Sequence, residues 1–325
     1  MRILVTGSSG HLGEALLRAL PATGHEGVGL DLVDSPYTEV AGSICDRLLV
    51  RSCMEGVDAV VHAATLHKPH LATHSRQEFV QTNVMGTLNV LEAAVDARIV
   101  CVVLTSTTSV FGGALVPPPA APASWITEDV EPVPKNVYGA TKAAAEDLCR
   151  VVHREHDLPC VVLRTSRFFP EADDDPAIRD SYSDANVKVN ELLYRRIDLE
   201  DAVTAHLLAL EKAPSLGFAT FVVSATTPFT PGDLPELRTD AAAVVRRRVP
   251  GCEASFAELG WTLFPSIDRV YVNERARREL GWVPRFDFGI ALSLARAGLE
   301  PRSSLAADVG AKGYHAFTSL PYTAR

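Results

Sequence analysis

Ile3-Leu4-Val5 runs into Thr6-Gly7-Ser8-Ser9-Gly10-His11-Leu12-Gly13, and a helix-like stretch, Glu14–Leu20, follows at once. Three glycines spaced this way behind a short apolar run have a physical reading. Gly7 permits a tight turn, Gly10 lets the backbone approach a pyrophosphate, and Gly13 lets the helix pack close to the strand. The unpaired N–H groups at the start of that helix then face the phosphates. A glycine-rich turn alone is only a loop; strand before and helix behind make it a dinucleotide site. Ser9, His11 and Leu12 complete the cofactor-binding turn.

Outward from this turn, residues 1 to about 165 alternate apolar runs with helical patterns. The runs are Ile3–Val5, Gly27–Leu30, Val57–Ala63, Ile99–Leu104 and Cys160–Leu163, with helical stretches near 11–22, 75–96 and 138–156. That alternation predicts an α/β, Rossmann-type, doubly wound parallel sheet. Gly112–Pro134, rich in proline, reads as a long surface loop. Glu171–Asp175 reads as an exposed acidic stretch. Helices are expected at 183–194 and 199–210, and a strand at 220–224. The expected organisation is a cofactor domain over 1–165, with 199–225 returning to it. Residues 166–198 and 226–300 make a smaller substrate-binding lobe, and 301–325 a surface-wrapping tail without clear period.

The second apolar run ends at Asp31. A carboxylate there accepts hydrogen bonds from both adenosine ribose hydroxyls and repels a 2′-phosphate. Leu32-Val33-Asp34-Ser35 offers no basic residue for such a phosphate, which points to NAD rather than NADP. The chain has 325 residues and a net charge of -9, which argues against general attraction to nucleic acid or anionic membrane. Six scattered cysteines without a C-x-x-C pair read as reduced, mostly buried thiols. No apolar run reaches membrane-spanning length, and the N-terminus lacks a basic stretch followed by a long apolar one. A cytoplasmic protein is expected.

Tyr138 and Lys142 lie four residues apart, on one face of a helix and one turn from each other. An ammonium beside a phenol favours the phenolate, so Lys142 is expected to lower the Tyr138 pKa toward neutrality. That makes Tyr138 a candidate general acid/base toward a hydroxyl or carbonyl.

With the glycine turn and the Tyr138/Lys142 pair in one chain, the sequence resembles the extended short-chain dehydrogenase/reductase family. More narrowly it resembles the NAD-dependent epimerase/dehydratase group. The likeness implies further roles. Asp46, in Ser43-Ile44-Cys45-Asp46, stands where the family sets an acid against the adenine. His62-Ala63-Ala64-Thr65 resembles the turn along the cofactor, with Ala63, Ala64 and Thr65 as contacts. Asn83 matches the asparagine that steadies the active-site helix. Thr107 falls four residues before Phe111-Gly112, the place of the catalytic Ser or Thr. Thr165 adds a cofactor contact. The resemblance implies hydride transfer at a secondary alcohol, with Thr107, Tyr138 and Lys142 catalytic.

Departures bear on substrate. Thr108 and Ser109 stand where 4,6-dehydratases carry an Asp-Glu pair, so dehydration is not expected. Arg167 replaces an asparagine that contacts substrate in nucleotide-sugar epimerases. The family's phosphate-binding arginine aligns with Tyr194 rather than Arg195 or Arg196. His67, Thr108, Arg167 and Arg196 are the candidate substrate residues. His62, His67, His70 and His74 crowd one loop in a spacing that fits no recurrent zinc pattern, and no metal is expected. Arg246-Arg247-Arg248 reads as a solvated helix face. Apolar stripes on 77–96 and 138–156 match the helix pair that forms dimers in this family, so a homodimer is expected. The function expected is an NAD-dependent epimerase or oxidoreductase acting on a sugar or sugar-nucleotide. Rivals are a dehydrogenase of a non-nucleotide sugar, uronate or other alcohol, and an idle NAD-binding regulator.

Overall fold

A computed structural model describes residues 1–173 and 175–313. Residues 314–325, the end of the expected tail, lie outside the described residues, as does Asp174.

Among the described residues nine strands form: β1 (Arg2–Thr6), β2 (Glu26–Asp31), β3 (Val40–Ala41), β4 (Ala59–His62), β5 (Cys101–Thr107), β6 (Ser124–Ile126), β7 (Cys160–Thr165), β8 (Phe218–Val223) and β9 (Arg269–Tyr271). Seven of them make one parallel sheet in the order β3-β2-β1-β4-β5-β7-β8. After β3 the chain reverses and adds β4 on the other side of β1, which opens a crevice at the C-terminal ends of β1 and β4.

Strand periodicity splits the core between the two faces. Ile3, Val5, Val61, Val103 and Val161 face the helices His11–Ala19 and Leu199–Leu216. Leu4, Val60, Val102 and Val162 face Gly86–Asp96 and Val137–His156. Burial on both faces explains why these strands read as continuous apolar runs. A third cluster, including Val187, Leu192, Phe256 and Phe288, stands apart from both and forms the core of the residues beyond β8 with the Asp184–Leu192 helix. All six cysteines are unpaired thiols, five of them buried.

Three expectations need correction. Gly112–Pro134 is not simply a surface loop: Ser124–Ile126 pairs in parallel with β9, and Ile126 is buried against Phe111 and Tyr271. Glu171 and Asp173 are not solvated acids, since their side chains are only 9% exposed and each faces a basic partner. The tail does not merely wrap the surface. Ser304–Val309 is a helix whose Ala306 and Val309 enter the main core. Among the described residues, no helix is long and apolar enough to cross a membrane.

Candidate active site

A cavity of about 1020 Å³ opens along the C-terminal edge of the sheet. It starts at Gly7–Gly13 and Asp31, passes Ala63–Thr65, and reaches Thr107, Thr108, Tyr138 and Thr165. Arg167, Arg195, Arg269 and Tyr271 also line it, and Phe169 does so beside His11 and His67.

The glycine turn is built for close approach. Gly7 has φ +76, and a Cβ there would lie 2.8 Å from the Ala64 backbone nitrogen. A Cβ on Gly13 would lie 2.0 Å from the Gly7 carbonyl oxygen, so only glycine lets the helix start against the strand. Gly10 caps the His11–Ala19 helix with no side-chain acceptor, which leaves its first-turn N–H groups for an anion. Asp31 accepts from Ser9 N at 3.0 Å through one oxygen and from Val33 N at 2.9 Å through the other. Its carboxylate is therefore fixed at the cavity edge.

At the cavity wall, β5 delivers Thr107 and the Val137–His156 helix delivers Tyr138, both buried; Lys142, one turn further on, is buried and does not line the cavity. Burial pushes the Tyr138 phenol up to about 12, with a hydrogen bond from Thr107 pulling the other way. Burial also pulls the Lys142 ammonium down to about 8, opposed by Glu146 one turn later. Lys142 does not lower the Tyr138 pKa as expected: desolvation of the phenolate outweighs every favourable neighbour, and the ammonium is itself starved of solvent.

Asn83 holds this helix in register. Its Nδ2 donates to Thr141 Oγ1 at 3.0 Å and to the Leu66 carbonyl at 2.9 Å. Its Oδ1 accepts from Leu66 N at 2.7 Å and from Thr65 Oγ1 at 3.0 Å. Asn83 sits in a π-turn, Gln81–Met85, that widens the helix there. The Thr165 hydroxyl donates to the Ser106 carbonyl at 2.9 Å, joining the ends of β5 and β7. Behind them Arg164 makes a bidentate pair with Glu146, which also accepts from Ser106.

Four anticipated residues do not line the cavity: Asn83 and Lys142, both buried, and Asp46 and Arg196. Asp46 does not line the cavity; its Oδ1 caps the Arg47–Ser52 helix, accepting from Leu48 N and Leu49 N. Arg196 is also absent from the cavity wall. It is buried, donating to Glu191 Oε2 at 2.7 Å and to the Phe169 carbonyl at 2.9 Å. Its neighbour Arg195 takes the place at the wall, 2.6 Å from Glu191 Oε1. Arg167 does reach the cavity, 2.8 Å from Asp173 and 3.9 Å from Glu191. Glu191 is fully buried, and against the penalty of burial these three arginines hold its carboxyl well below the usual carboxylate range. Arg269 and Tyr271 come from β9 and had no place among the anticipated residues. Period-2 alternation across Arg269-Val270-Tyr271 was the available signal, since it sets the two polar side chains on one face.

His67 lines the cavity and stacks edge-on with His70 at 4.6 Å. The Arg246–Arg248 triplet is occupied by Glu253, Glu236 and Asp233.

The model of the NAD dependent epimerase/dehydratase family matches residues 3–223, which contain the sheet, the glycine turn and the Tyr138 helix. The chain belongs to that family. Among family relatives, a dTDP-glucose 4,6-dehydratase of Streptomyces niveus is 36% identical over 193 residues, covering 52% of this chain and 55% of the relative. The match thus spans little more than half of that protein. A UDP-glucose 4-epimerase of Azospirillum brasilense is 29% identical over 96% of this chain and 95% of its own length. A short-chain dehydrogenase/reductase superfamily protein from Agrobacterium tumefaciens, solved with bound NAD, superposes with a TM-score of 0.66. It is 26% identical and covers 91% of this chain and 96% of its own. The family assignment and the doubly wound fold both agree with the sequence reading.

Proposed function

We propose that this protein is an NAD-dependent epimerase acting on a secondary alcohol of a sugar nucleotide. The observation that carries the reading is one continuous cavity. It begins at the glycine turn, passes the buried Thr107 and Tyr138 hydroxyls, and ends on Arg195 and Arg269. The relative that covers nearly the whole chain is a UDP-glucose 4-epimerase, which supports the same reading.

The residues present fit NAD. Gly7 and Gly13 tolerate no Cβ, the first helix is uncapped, and Asp31 is held at the edge with no basic residue in the Leu32-Val33-Asp34-Ser35 that follow. Gly7–Gly13, Asp31, Ala63–Thr65, Asn83, Thr165 and Lys142 would hold the group or its surroundings, and when bound NAD supplies a hydride acceptor. Tyr138 takes the proton of the substrate hydroxyl at its phenolic oxygen and returns it, acting as phenolate, so the phenol that burial holds up to about 12 must first give up its own proton. Thr107 hydrogen-bonds the reacting oxygen. Lys142 offers an ammonium to the ribose hydroxyls. Arg195 and Arg269 suit the paired charges of a diphosphate, as Arg–phosphate bonds are charge-assisted. Asp46 serves the helix cap and Arg196 a buried pair, so neither is assigned to ligand.

In this reading, residues 1–165 with 199–225 carry the cofactor, and 166–198 with 226–300 carry the substrate. Val80, Met85 and Val151 are exposed on the two helices expected to pair, which supports a homodimer. Six unpaired thiols suit a reducing cytoplasm.

The test is to incubate the protein with NAD and UDP-hexoses while following sugar composition and NADH absorbance. Interconversion of epimers without net NADH supports the epimerase. Net NADH from a sugar acid supports a second reading, a dehydrogenase whose Arg167, in place of asparagine, faces a carboxylate. If no alcohol gives either outcome, the hydride-transfer reading is overturned.

A further inference from the structure

Beyond β7 the chain crosses the crevice. Phe169 lies between two of its walls, its ring 5.2 Å from that of His11, which opens the first helix, and 5.3 Å from that of His67, which follows β4. The carbonyls of this segment are gripped from behind: Arg196 donates to Phe169 O and Lys188 to Pro170 O. Glu171 then reaches the glycine turn itself. Its Oε1 lies 3.1 Å from His11 Nε2 and accepts the backbone N–H of Lys312 at 3.1 Å. The Lys312 ammonium in turn pairs with Glu14, on the same first helix as His11. A lobe segment whose Phe169 lines the cavity is thus tied through Glu171 and Lys312 to the glycine-turn helix.

We infer that Phe169-Pro170-Glu171 is a crossbar over the bound dinucleotide, and that Glu171 and Lys312 are positioning residues that retain the cofactor between turnovers. The inference rests on the NAD reading above and deepens it. A ligand lying along the C-terminal edges of β1 and β4 passes beneath Phe169 and leaves only when the crossbar lifts. Lifting breaks charged hydrogen bonds whose acceptors are buried, and such bonds are the strong ones. Opening of the crossbar therefore sets the dissociation rate. Retention is what an enzyme needs if the hydride it removes is to be returned to the same substrate.

The experiment loads the full chain with NADH and follows its fluorescence as excess NAD chases it off. Glu171→Gln and Lys312→Ala are each expected to release NADH about tenfold faster than the parent, the size expected for one lost charged contact. Lys312→Arg, which keeps the charge, is expected to stay within about twofold. Arg296→Ala removes a surface pair with Glu258 far from the crevice and serves as the control for general loosening. Release within about twofold of the parent for both Glu171→Gln and Lys312→Ala overturns the inference, as does equal acceleration in Arg296→Ala. If Glu171→Gln fails to fold, the Lys312 pair decides alone. A parent protein that binds no dinucleotide overturns the NAD reading and this inference together; a parent that binds it while the variants release normally overturns the crossbar only.

Discussion

The two ends of one cavity are made of different material. The end proposed for the cofactor is backbone: a turn at Gly7–Gly13, an uncapped helix, and the Ala63–Thr65 turn pressed against Gly7. The end proposed for the substrate is side chain: Arg167 past β7, Arg195 just past the Asp184–Leu192 helix, Arg269 and Tyr271 on β9. The backbone end needs glycine at particular places, and that need is visible in a few contiguous residues. The side-chain end needs only that guanidinium groups converge, which is settled by the packing of Glu191 and Asp173 among them. One end is local in sequence and the other is not.

The junction of the two ends carries the largest expected effect. Tyr138→Phe removes the proton-exchanging hydroxyl, and kcat is expected to fall about 10²–10⁴-fold. NAD affinity, measured by titration, should hold, because both ends remain. Retention of every measured effect would instead favour an NAD-binding regulator. Next comes the side-chain end. Glu191→Ala leaves three arginines around an uncompensated void, and urea unfolding should show a loss of about 3–5 kcal/mol. A loss below about 1 kcal/mol would mean the cluster is solvated and the contrast false.

Lys142 gives a smaller effect of opposite sign. Its pKa is about 8 in the folded chain, pulled down by burial and partly restored by Glu146, against about 10.4 unfolded. Between those pH values the unfolded chain binds more protons, so stability rises with pH, and below the window the buried ammonium costs stability. Lys142→Met is therefore expected to be more stable at pH 7 by roughly 1–3 kcal/mol and to lose the rise, as read from urea midpoints at about pH 7 and pH 9. Tyr138, raised to about 12, acts above that window and lowers stability there. The smallest effects separate the ends cleanly. Gly7→Ala forces a Cβ onto the Ala64 backbone and should weaken NAD about tenfold while sparing the substrate KM. Arg195→Ala should do the reverse, raising the KM about tenfold with NAD affinity unchanged.

Legibility follows the same division. The glycine turn and the strand alternation were readable because each depends on a short pattern, and short patterns of the same kind single out Thr107, Tyr138 and Asn83 as candidates. Asp46 misled because an acid before a helix has two uses, and here the cap took it. Arg196 misled because adjacent arginines differ in direction: one turned inward to Glu191 and Phe169, the other to the cavity. Arg269 stayed hidden because β9 pairs with β6, more than a hundred residues earlier. Glu171 read as a solvated acid because neither His11 nor Lys312 is near it in sequence.

By itself, the sequence determined the doubly wound sheet, the family and the spacing of Tyr138 and Lys142 by one helical turn, since glycine sterics and the periods of strand and helix act over a few residues. Only the tertiary structure decided which arginines meet the cavity, where Glu171 goes and what burial does to Tyr138 and Lys142. Those outcomes depend on which groups lose water and which charges they meet, and both are set by residues far apart in the chain.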